Sequence, residues 1–144
     1  TADAEAARVV PVVRELARHG GAVSVDTRHA AVAEAALAAG ACIVNDVSAL
    51  GGDAEMAGVV ARGGAGLVLM HMQGEPRTMQ RDPRYGEVVS DVSAFLRDRL
   101  AAAARAGIGE DRVAVDPGIG FGKTVEHNLD LLAGVGRLGQ LGRQ

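Results

Sequence analysis

Four short apolar runs alternate with longer segments of helical periodicity along this chain. Each run is followed within one or two positions by a polar side chain, and the runs cover residues 22–25, 42–44, 66–70 and 113–115. Short, uniformly apolar runs are typical of strands in parallel sheets that are covered by helices. The pattern therefore predicts an α/β protein with four parallel strands.

The first predicted helix is amphipathic and precedes the first strand. Val9, Val13 and Leu16 recur at i, i+4 and i+7, and Gly20 follows as a stop signal. Pro11 lies inside this segment, so the sequence predicts either a kink or a later start of the helix.

Capping residues and glycines set the bounds of the other predicted helices. Thr27 is the predicted cap of the second helix, and Asp91 that of the longest, which ends before Gly107. The shorter helices are predicted over residues 30–39, over 53–62, and from near Thr124 through 128–132. The tail to Gln144 is weakly patterned.

Four strand–helix units are half of the eight that close a barrel. The chain also begins on a helix and stops where another strand is due. We therefore interpret residues 1–144 as the central segment of a single (β/α)8 TIM-barrel domain. An open doubly wound sheet has similar local patterns and stays open as the alternative.

Composition excludes several classes of function. The 144 residues are 48% hydrophobic with a net charge of −3, which argues against disorder and gives no electrostatic case for nucleic acid or anionic membranes. No apolar run has the roughly 18 residues of a membrane span, and no secretory leader opens the chain. Because Cys42 is the single cysteine, no internal disulfide can form, and we expect a cytoplasmic location.

Polar side chains stand at the carboxyl ends of the predicted strands. Asp26, Asn45 and Asp116 follow three of them, and Met70 with His71 ends the fourth. In a barrel these ends converge on one mouth, where active sites lie. Two carboxylates and an amide beside apolar groups suit a flat heterocycle with amidine-like edges.

Each of these residues also has a plain structural interpretation. Asp26 can cap a helix, the pair Asn45-Asp46 can turn the chain, and Asp116 can begin a β-turn with Pro117 and Gly118. Met70 can be ordinary core, and His71 can be a structural hydrogen-bonding group, since no metal-ligand cluster accompanies it. The coincidence of three polar strand ends is what favours a site.

The glycine-rich loop after Asp116 does not match either nucleotide-binding motif. A phosphate loop of the form G-x-x-x-x-G-K-S/T would need glycine where Pro117 stands, and a G-x-G-x-x-G loop from Gly118 would need glycine at Lys123. Phe121 within the loop is one of only three aromatic residues. Lys123 is predicted to be either solvated or the holder of an anion. A second long loop, residues 72–90, is polar and of a length that is usually functional or mobile.

Four sequence blocks contain these strand ends and loops: SVDTR at 24–28, IVNDVS at 43–48, LMHMQGEPRTMQ at 69–80 and DPGIGFGKT at 116–124. Asn128 with Leu131 and Leu132 extends the last block. Together the blocks resemble the signature blocks of the dihydropteroate synthase family, and they occur in family order between about residues 20 and 132.

The resemblance implies a TIM barrel of folate biosynthesis and a sulfonamide target. Family members join 6-hydroxymethyl-7,8-dihydropterin diphosphate to p-aminobenzoate, giving 7,8-dihydropteroate and pyrophosphate, with Mg2+ on the diphosphate. It implies that Asp26, Asn45, Asp116 and Met70 contact the pterin and that Asp116 is catalytic. Phe121 would face the aminobenzoate.

The resemblance also assigns supporting roles and partners. Lys123 and Val47 are the supporting residues, and the Mg2+ ligand of the protein is expected outside this chain. The partners it implies are the two small-molecule substrates, neither nucleic acid nor membrane, and a second copy in a homodimer of the full-length enzyme.

Several family features have no counterpart in this chain. They are the first strand with its magnesium-binding Asn, the flexible substrate loops, the Ser-Arg-Lys block and the Arg-x-His pair. We therefore expect the isolated segment to be inactive and poorly stable, with open sheet edges. Ala49 stands where the family usually has glycine. We expect the alanine to be tolerated unless residue 49 needs a positive φ.

Two rival functions stay open at this point. A pterin-binding methyltransferase domain shares the barrel and the Asp and Asn contacts, although the 69–80 and 116–124 blocks argue against it. An inactive pterin-binding remnant of a truncated gene would bind a pterin without condensing it.

Overall fold

The computed structural model describes residues 1–141; the last three positions of the weakly patterned tail lie outside the described residues. The helices are α1 (Ala2–Arg18), α2 (Ala30–Ala38), α3 (Met56–Gly63), α4 (Val88–Arg105), α5 (Val125–Ala133) and α6 (Val135–Leu138). The strands are β1 (Ser24–Asp26), β2 (Ile43–Asp46), β3 (Gly66–Met70) and β4 (Val113–Asp116), and a 3-10 turn at Glu110–Arg112 leads into β4.

The four strands form one parallel sheet in the order β1-β2-β3-β4. Each strand therefore lies beside its predecessor after a crossover that contains a helix, as in a (β/α)8 barrel. A doubly wound sheet reverses its strand order at a switch point, and no reversal occurs among the described strands. The predicted barrel segment is confirmed, and the doubly wound alternative is wrong.

The two faces of the sheet are covered differently. On the helix side, Val25, Val44, Leu67 and Leu69 are almost fully buried against the helices. The alternate residues point to the other face; those of β1, Asp26 among them, are exposed, and those of β2 are only partly covered. The apolar runs predicted burial on both faces of the sheet. The inner face stays open because four strands do not close into a barrel. The inner face is the one that carries the candidate site.

Helix α1 runs through Pro11 without interruption, so the predicted later start is wrong. Its first turn is capped by Thr1, whose Oγ1 accepts from the Ala4 N–H at 3.3 Å. Proline removes one backbone donor from the helix interior. Of the predicted apolar stripe, Val13 is buried in the core while Leu16 stays largely exposed.

Helix α2 is capped from a distant loop rather than by Thr27. The Ala30 N–H donates to Asp53 Oδ2 at 2.9 Å, whereas Thr27 Oγ1 accepts from the His29 N–H and donates to Glu5. The predicted Thr27 cap is therefore wrong. Asp53 precedes α3 instead of opening it, so that helix starts three residues later than predicted.

Helix α4 begins before the predicted cap at Asp91. Glu87 is the capping residue, accepting from the N–H groups of Val89 and Ser90 at 3.2 and 2.8 Å. Asp91 lies in the first turn and accepts from the Gly86 N–H at 2.8 Å. Both carboxylates accept from backbone N–H groups at this helix start. The earlier of the two in the chain, Glu87, is the cap at which the helix begins.

Helices α4, α5 and α6 share a second core, in which Val92 and Leu96 pack with Leu131 and Leu138. Thr124 caps α5 in a reciprocal capping box with His127, as the predicted start near Thr124 requires. The sequence did not predict α6. This core fixes the position of α5, and α5 follows directly after the glycine loop.

Candidate functional site

Asp26 and Asn45 form a hydrogen-bonded pair on the inner face of the sheet. Their Cα atoms are register partners in β1 and β2, and Asn45 Nδ2 donates to Asp26 Oδ2 at 2.9 Å. Within residues 1–141, no backbone N–H donates to the Asp26 carboxylate, so it caps no helix. The pair leaves Asp26 Oδ1 and Asn45 Oδ1 free to meet a donor on a ligand.

Asp46, next to Asn45, points to the opposite face and holds the turn. Its side chain is fully buried, and its two oxygens accept from the N–H groups of Ser48 and Leu50, each at 2.8 Å. The turn role predicted for the pair Asn45-Asp46 is thus filled by Asp46, while Asn45 pairs with Asp26. Val47, a predicted supporting residue, is half-buried in this turn.

Ala49 has the positive φ at which a methyl group is unfavourable. Its φ is 50°, and Leu50 beside it has a φ of 64°. Residues with a Cβ pay a steric cost in this left-handed region, which glycine avoids. The hydrogen bonds that the Asp46 carboxylate accepts from Ser48 and Leu50 hold the turn in this conformation.

Asp116 ends β4 beside Met70 of β3, its register partner. One carboxylate oxygen, Oδ1, accepts from the Gly118 N–H at 2.7 Å, which is the turn contact that sequence reasoning weighed. Among the described residues, none donates to Oδ2. Asp116 is half-buried, and the oxygen hydrogen-bonded to Gly118 stabilises the loop. Met70 is buried and packs against Gly118.

The glycine loop, which we define as residues 118–122, lies flat against the backbone that follows β3. Gly118 has a φ of +68°, and a Cβ there would overlap the His71 carbonyl oxygen. Gly122 has a φ of +61°, and a Cβ there would lie 2.8 Å from the Gln73 carbonyl oxygen. Glycine is required at both positions because the two backbones approach so closely. Phe121, between them, is half-buried.

Lys123 is buried, with 3% of its surface exposed, and is therefore not the solvated residue that was one prediction. Its Nζ lies 2.9 Å from the carbonyl oxygens of Gly118 and Phe121 and 3.0 Å from His71 Nδ1. The His71 carbonyl is a fourth, longer contact at 3.4 Å. Three short contacts account for the three ammonium hydrogens, so no donor is left for an anion.

Burial lowers the pKa of Lys123 to about 8, while the Asp116 charge opposes that shift. Burial, with the Lys123 charge, lowers the pKa of His71 to about 4. At neutral pH, His71 is thus the neutral acceptor and Lys123 the charged donor. Because an ammonium only donates, the ring proton of His71 is on Nε2. The ring packs edge-on against Phe95 at 4.9 Å between centroids.

The long loop, residues 71–87, is pinned to the glycine loop. Gln80 Nε2 donates to the Gly120 carbonyl at 2.6 Å, and Gln80 Oε1 accepts from the Lys123 N–H. The Tyr85 hydroxyl donates to the Gly122 carbonyl at 2.7 Å. From the other side, Asn128 Oδ1 accepts from the Gly120 N–H at 2.9 Å.

Sequence reasoning did not assign a role to Gln80, Tyr85 or Asn128. Their partners are backbone groups about 8 to 40 positions away, so no local pattern indicates the contact. The only signal was that Gln80 and Asn128 fall in or next to the resemblance blocks. The structure brings together Asp116, Met70, Phe121 and Lys123 at β3 and β4, and Asp26 with Asn45 at β1 and β2.

We expect His71 to make the folded protein sensitive to mild acid. Its pKa is lowered in the fold, so its contribution to stability is present above pH 6.5 and is lost as the pH falls towards 4. The loss is about 3 kcal/mol over that interval. Urea unfolding of the full-length protein at pH 7, 6, 5 and 4 measures it.

His71→Asn is the matched variant for this measurement, because asparagine keeps an acceptor towards Lys123 and does not titrate. The stability difference between the two proteins should shrink as the pH falls. Parallel pH profiles for both would show that His71 is not the group responsible.

A cavity of about 570 Å3 opens at the amino ends of β2, β3 and β4, away from these residues. Ile43, Val68 and Ala114 line it, so it is the apolar interior of the curved sheet. Within residues 1–141, no three His, Cys, Asp or Glu side chains come together to hold a metal ion. In the same part of the chain, no helix is long and apolar enough to span a bilayer.

The chain is similar to proteins of known function over almost its whole length. A family model described as pterin binding enzyme matches residues 1–143. Dihydropteroate synthase of Neisseria meningitidis serogroup C is 43% identical over 129 residues, which are 89% of this chain and 46% of that protein. This chain thus spans about half the length of the curated relatives it matches.

Solved structures extend the similarity to the fold. The dihydropteroate synthase of Stenotrophomonas maltophilia, with imidazole in its active site, matches with a TM-score of 0.93 and 43% identity, over 98% of this chain and 53% of that one. The Xanthomonas albilineans enzyme in complex with 7,8-dihydropteroate matches with a TM-score of 0.89 and 40% identity, over 98% and 52% of the two chains.

Proposed function

This chain belongs to the family of pterin-binding enzymes, and on that premise we propose that it is the central segment of a dihydropteroate synthase. The reaction joins 6-hydroxymethyl-7,8-dihydropterin diphosphate to p-aminobenzoate and releases pyrophosphate. Residues 1–144 would supply the pterin pocket of the one barrel domain. The observation that carries this proposal is the placement of Asp26, Asn45 and Asp116 on the inner face at one end of the sheet.

The pterin would lie across the strand ends with its polar edge on these three side chains. A carboxylate oxygen accepts from ring N–H and amino groups, and the Asn45 amide can both accept and donate. Asp26 Oδ1 and Asp116 Oδ2 are the oxygens without a donor among the described residues. Met70 would cover one face of the ring, where it already packs beside Gly118.

Asp116 would also act in the chemical step. Loss of pyrophosphate leaves positive charge on the pterin methylene before the arylamine attacks. A fixed carboxylate next to that carbon stabilises the developing charge. Its other oxygen is tied to the Gly118 N–H, so the group is held in place before substrate arrives. Phe121 would line the aminobenzoate side, with Lys123 and Val47 in support.

We propose that Mg2+ arrives on the substrate diphosphate. Among the described residues, no three acidic, histidine or cysteine side chains come together, and a substrate diphosphate itself supplies oxygen ligands to Mg2+. The ion would neutralise the diphosphate as it leaves. Its protein ligand would lie in a part of the synthase outside this chain.

The relatives named above favour the synthase over a pterin-binding methyltransferase, since they are dihydropteroate synthases. As partners we propose the two substrates and, for the full-length enzyme, a second copy in a homodimer. A cytoplasmic location and inhibition by sulfonamides follow from the same proposal.

Expression of the full-length protein tests the function directly. Pyrophosphate release that requires both p-aminobenzoate and the pterin diphosphate, with 7,8-dihydropteroate as product, would support the synthase. Binding of a pterin without product would instead identify an inactive remnant. Transfer of a methyl group without dihydropteroate formation would identify a methyltransferase.

A further inference from the structure

Lys123 is the single lysine in a chain that carries fourteen arginines. Every other cationic side chain is therefore a guanidinium, and the one ammonium is the one that is buried among loop carbonyls. An ammonium has three donors on a compact tetrahedral centre, whereas guanidinium donors lie in a plane as a fork. The position thus has a chemical requirement that arginine does not meet.

The three short contacts of Nζ converge from two different strand ends. The Gly118 and Phe121 carbonyls belong to the loop after β4, and His71 Nδ1 belongs to the chain after β3. The ammonium therefore links the two ends of the loop to each other and to β3. We call this set of contacts the lysine lock.

The lock controls the position of Phe121 in particular. The Phe121 carbonyl is held by Nζ at 2.9 Å, and its N–H donates to the Gly118 carbonyl at 3.0 Å. The neighbouring Gly120 is held on both sides by Gln80 and Asn128. With the backbone held in this way, the direction of the Phe121 Cα–Cβ bond is fixed relative to β3 and β4.

Asp26 and Asn45 are independent of these contacts. They pair with each other on β1 and β2, and neither contacts the glycine loop or Lys123 among the described residues. A change at the lock should therefore displace Phe121 most, while the Asp26–Asn45 part of the pterin site stays in place.

Building on the synthase function, we propose that Lys123 is a positioning residue for the arylamine substrate. By joining β3 to the glycine loop, its ammonium holds Phe121 where the aminobenzoate ring packs. Lys123 touches neither substrate in this arrangement and acts through Phe121. The lock therefore acts on arylamine affinity more than on pterin affinity, because Asp26 and Asn45 bind the pterin independently of it.

The charge state of the lock adds a pH signature. Lys123 faces His71, which follows β3, and Asp116 of β4, while the Tyr85 ring and the Asp91 charge are near His71. The pKa of Lys123 is about 8. Loss of its proton leaves two hydrogens for three short contacts, so the lock weakens as the pH rises through 8.

The test is steady-state kinetics of the full-length protein and its Lys123→Met variant at pH 7. We expect the variant to raise the KM for p-aminobenzoate about 10-fold or more and to lower kcat, with the KM for the pterin diphosphate changed less than about 2-fold. Arg105→Met, an exposed cation at the end of α4, is the control and should change neither constant. The KM for p-aminobenzoate should rise between pH 7 and 9 in the wild-type protein but not in Lys123→Met.

An unchanged arylamine KM in Lys123→Met, or an equal rise in both KM values, overturns the proposal. Absence of product from the wild-type protein would overturn the synthase function instead, so the two failures are distinguishable. If Lys123→Met does not fold, His71→Asn and His71→Leu decide the matter. The asparagine keeps an acceptor for Nζ and should retain the wild-type arylamine KM, whereas the leucine should raise it; equal values for both overturn the lock.

Discussion

Asp116→Asn in the full-length protein should lower the rate of dihydropteroate formation by about 10²- to 10³-fold, the usual cost of removing one preorganised electrostatic group. The amide keeps an oxygen that can accept from the Gly118 N–H, so the turn after β4 should survive. What is lost is the negative charge beside the pterin methylene. The change should therefore appear in kcat, with the free energy of unfolding almost unchanged.

Two further variants make this result specific. Asp116→Ala removes both the charge and the turn contact, and should cost about 1 kcal/mol of stability in addition to the rate. Asp130→Asn makes the same chemical change on an exposed carboxylate of α5 and should leave the rate at the wild-type value. An unchanged rate in Asp116→Asn would remove Asp116 from the mechanism.

Gly118→Ala should destabilise the full-length protein more than any other single glycine-to-alanine change in the loop. The added Cβ would overlap the His71 carbonyl oxygen, and that oxygen belongs to backbone that is held by the β3–β4 ladder. Relief requires the glycine loop to move away from β3, which also opens the lysine lock. We expect a loss on the order of 3–5 kcal/mol, in the range of severe core changes.

Gly120→Ala is the matched control because it carries the same backbone cost without the contact. Its φ is +83°, and an added Cβ would meet nothing within 4 Å. It should therefore lose only about 1 kcal/mol, the cost of placing alanine in the left-handed region. Thermal or urea unfolding of both variants gives the comparison. Equal losses would show that φ alone, and not the approach to His71, requires glycine at position 118.

The strands were the most predictable part of the fold. The run at 66–70 coincides with β3, and the other three runs differ from their strands by one or two residues at one or both ends. Apolar runs of three to five residues between turn signals leave few alternatives, because a buried strand needs apolar groups on nearly every position. Sequential strand order was likewise expected from the alternation of strands and helices.

Helix starts were predicted less well, for a physical reason. The start of α2 is satisfied by Asp53, which lies 23 positions further along the chain, and Thr27 turns instead towards Glu5 of α1. A helix end needs any acceptor of suitable geometry, and the acceptor need not be local. Only the folded chain shows which carboxylate is close enough.

By itself, the sequence determined the class of fold, the strand ends at which Asp26, Asn45 and Asp116 stand, and the blocks that led to the family. These follow from hydrophobic period and from residue order, which are local properties of the chain. The tertiary structure decided which neighbouring side chain faces the site. Asn45 points to the inner face and Asp46 to the core, although sequence alone treats the two as equivalent turn formers. It also placed the Lys123 ammonium between two carbonyls that follow β4 and the His71 ring that follows β3. The sequence does not show this, because burial and charge pairing depend on contacts between elements far apart in the chain.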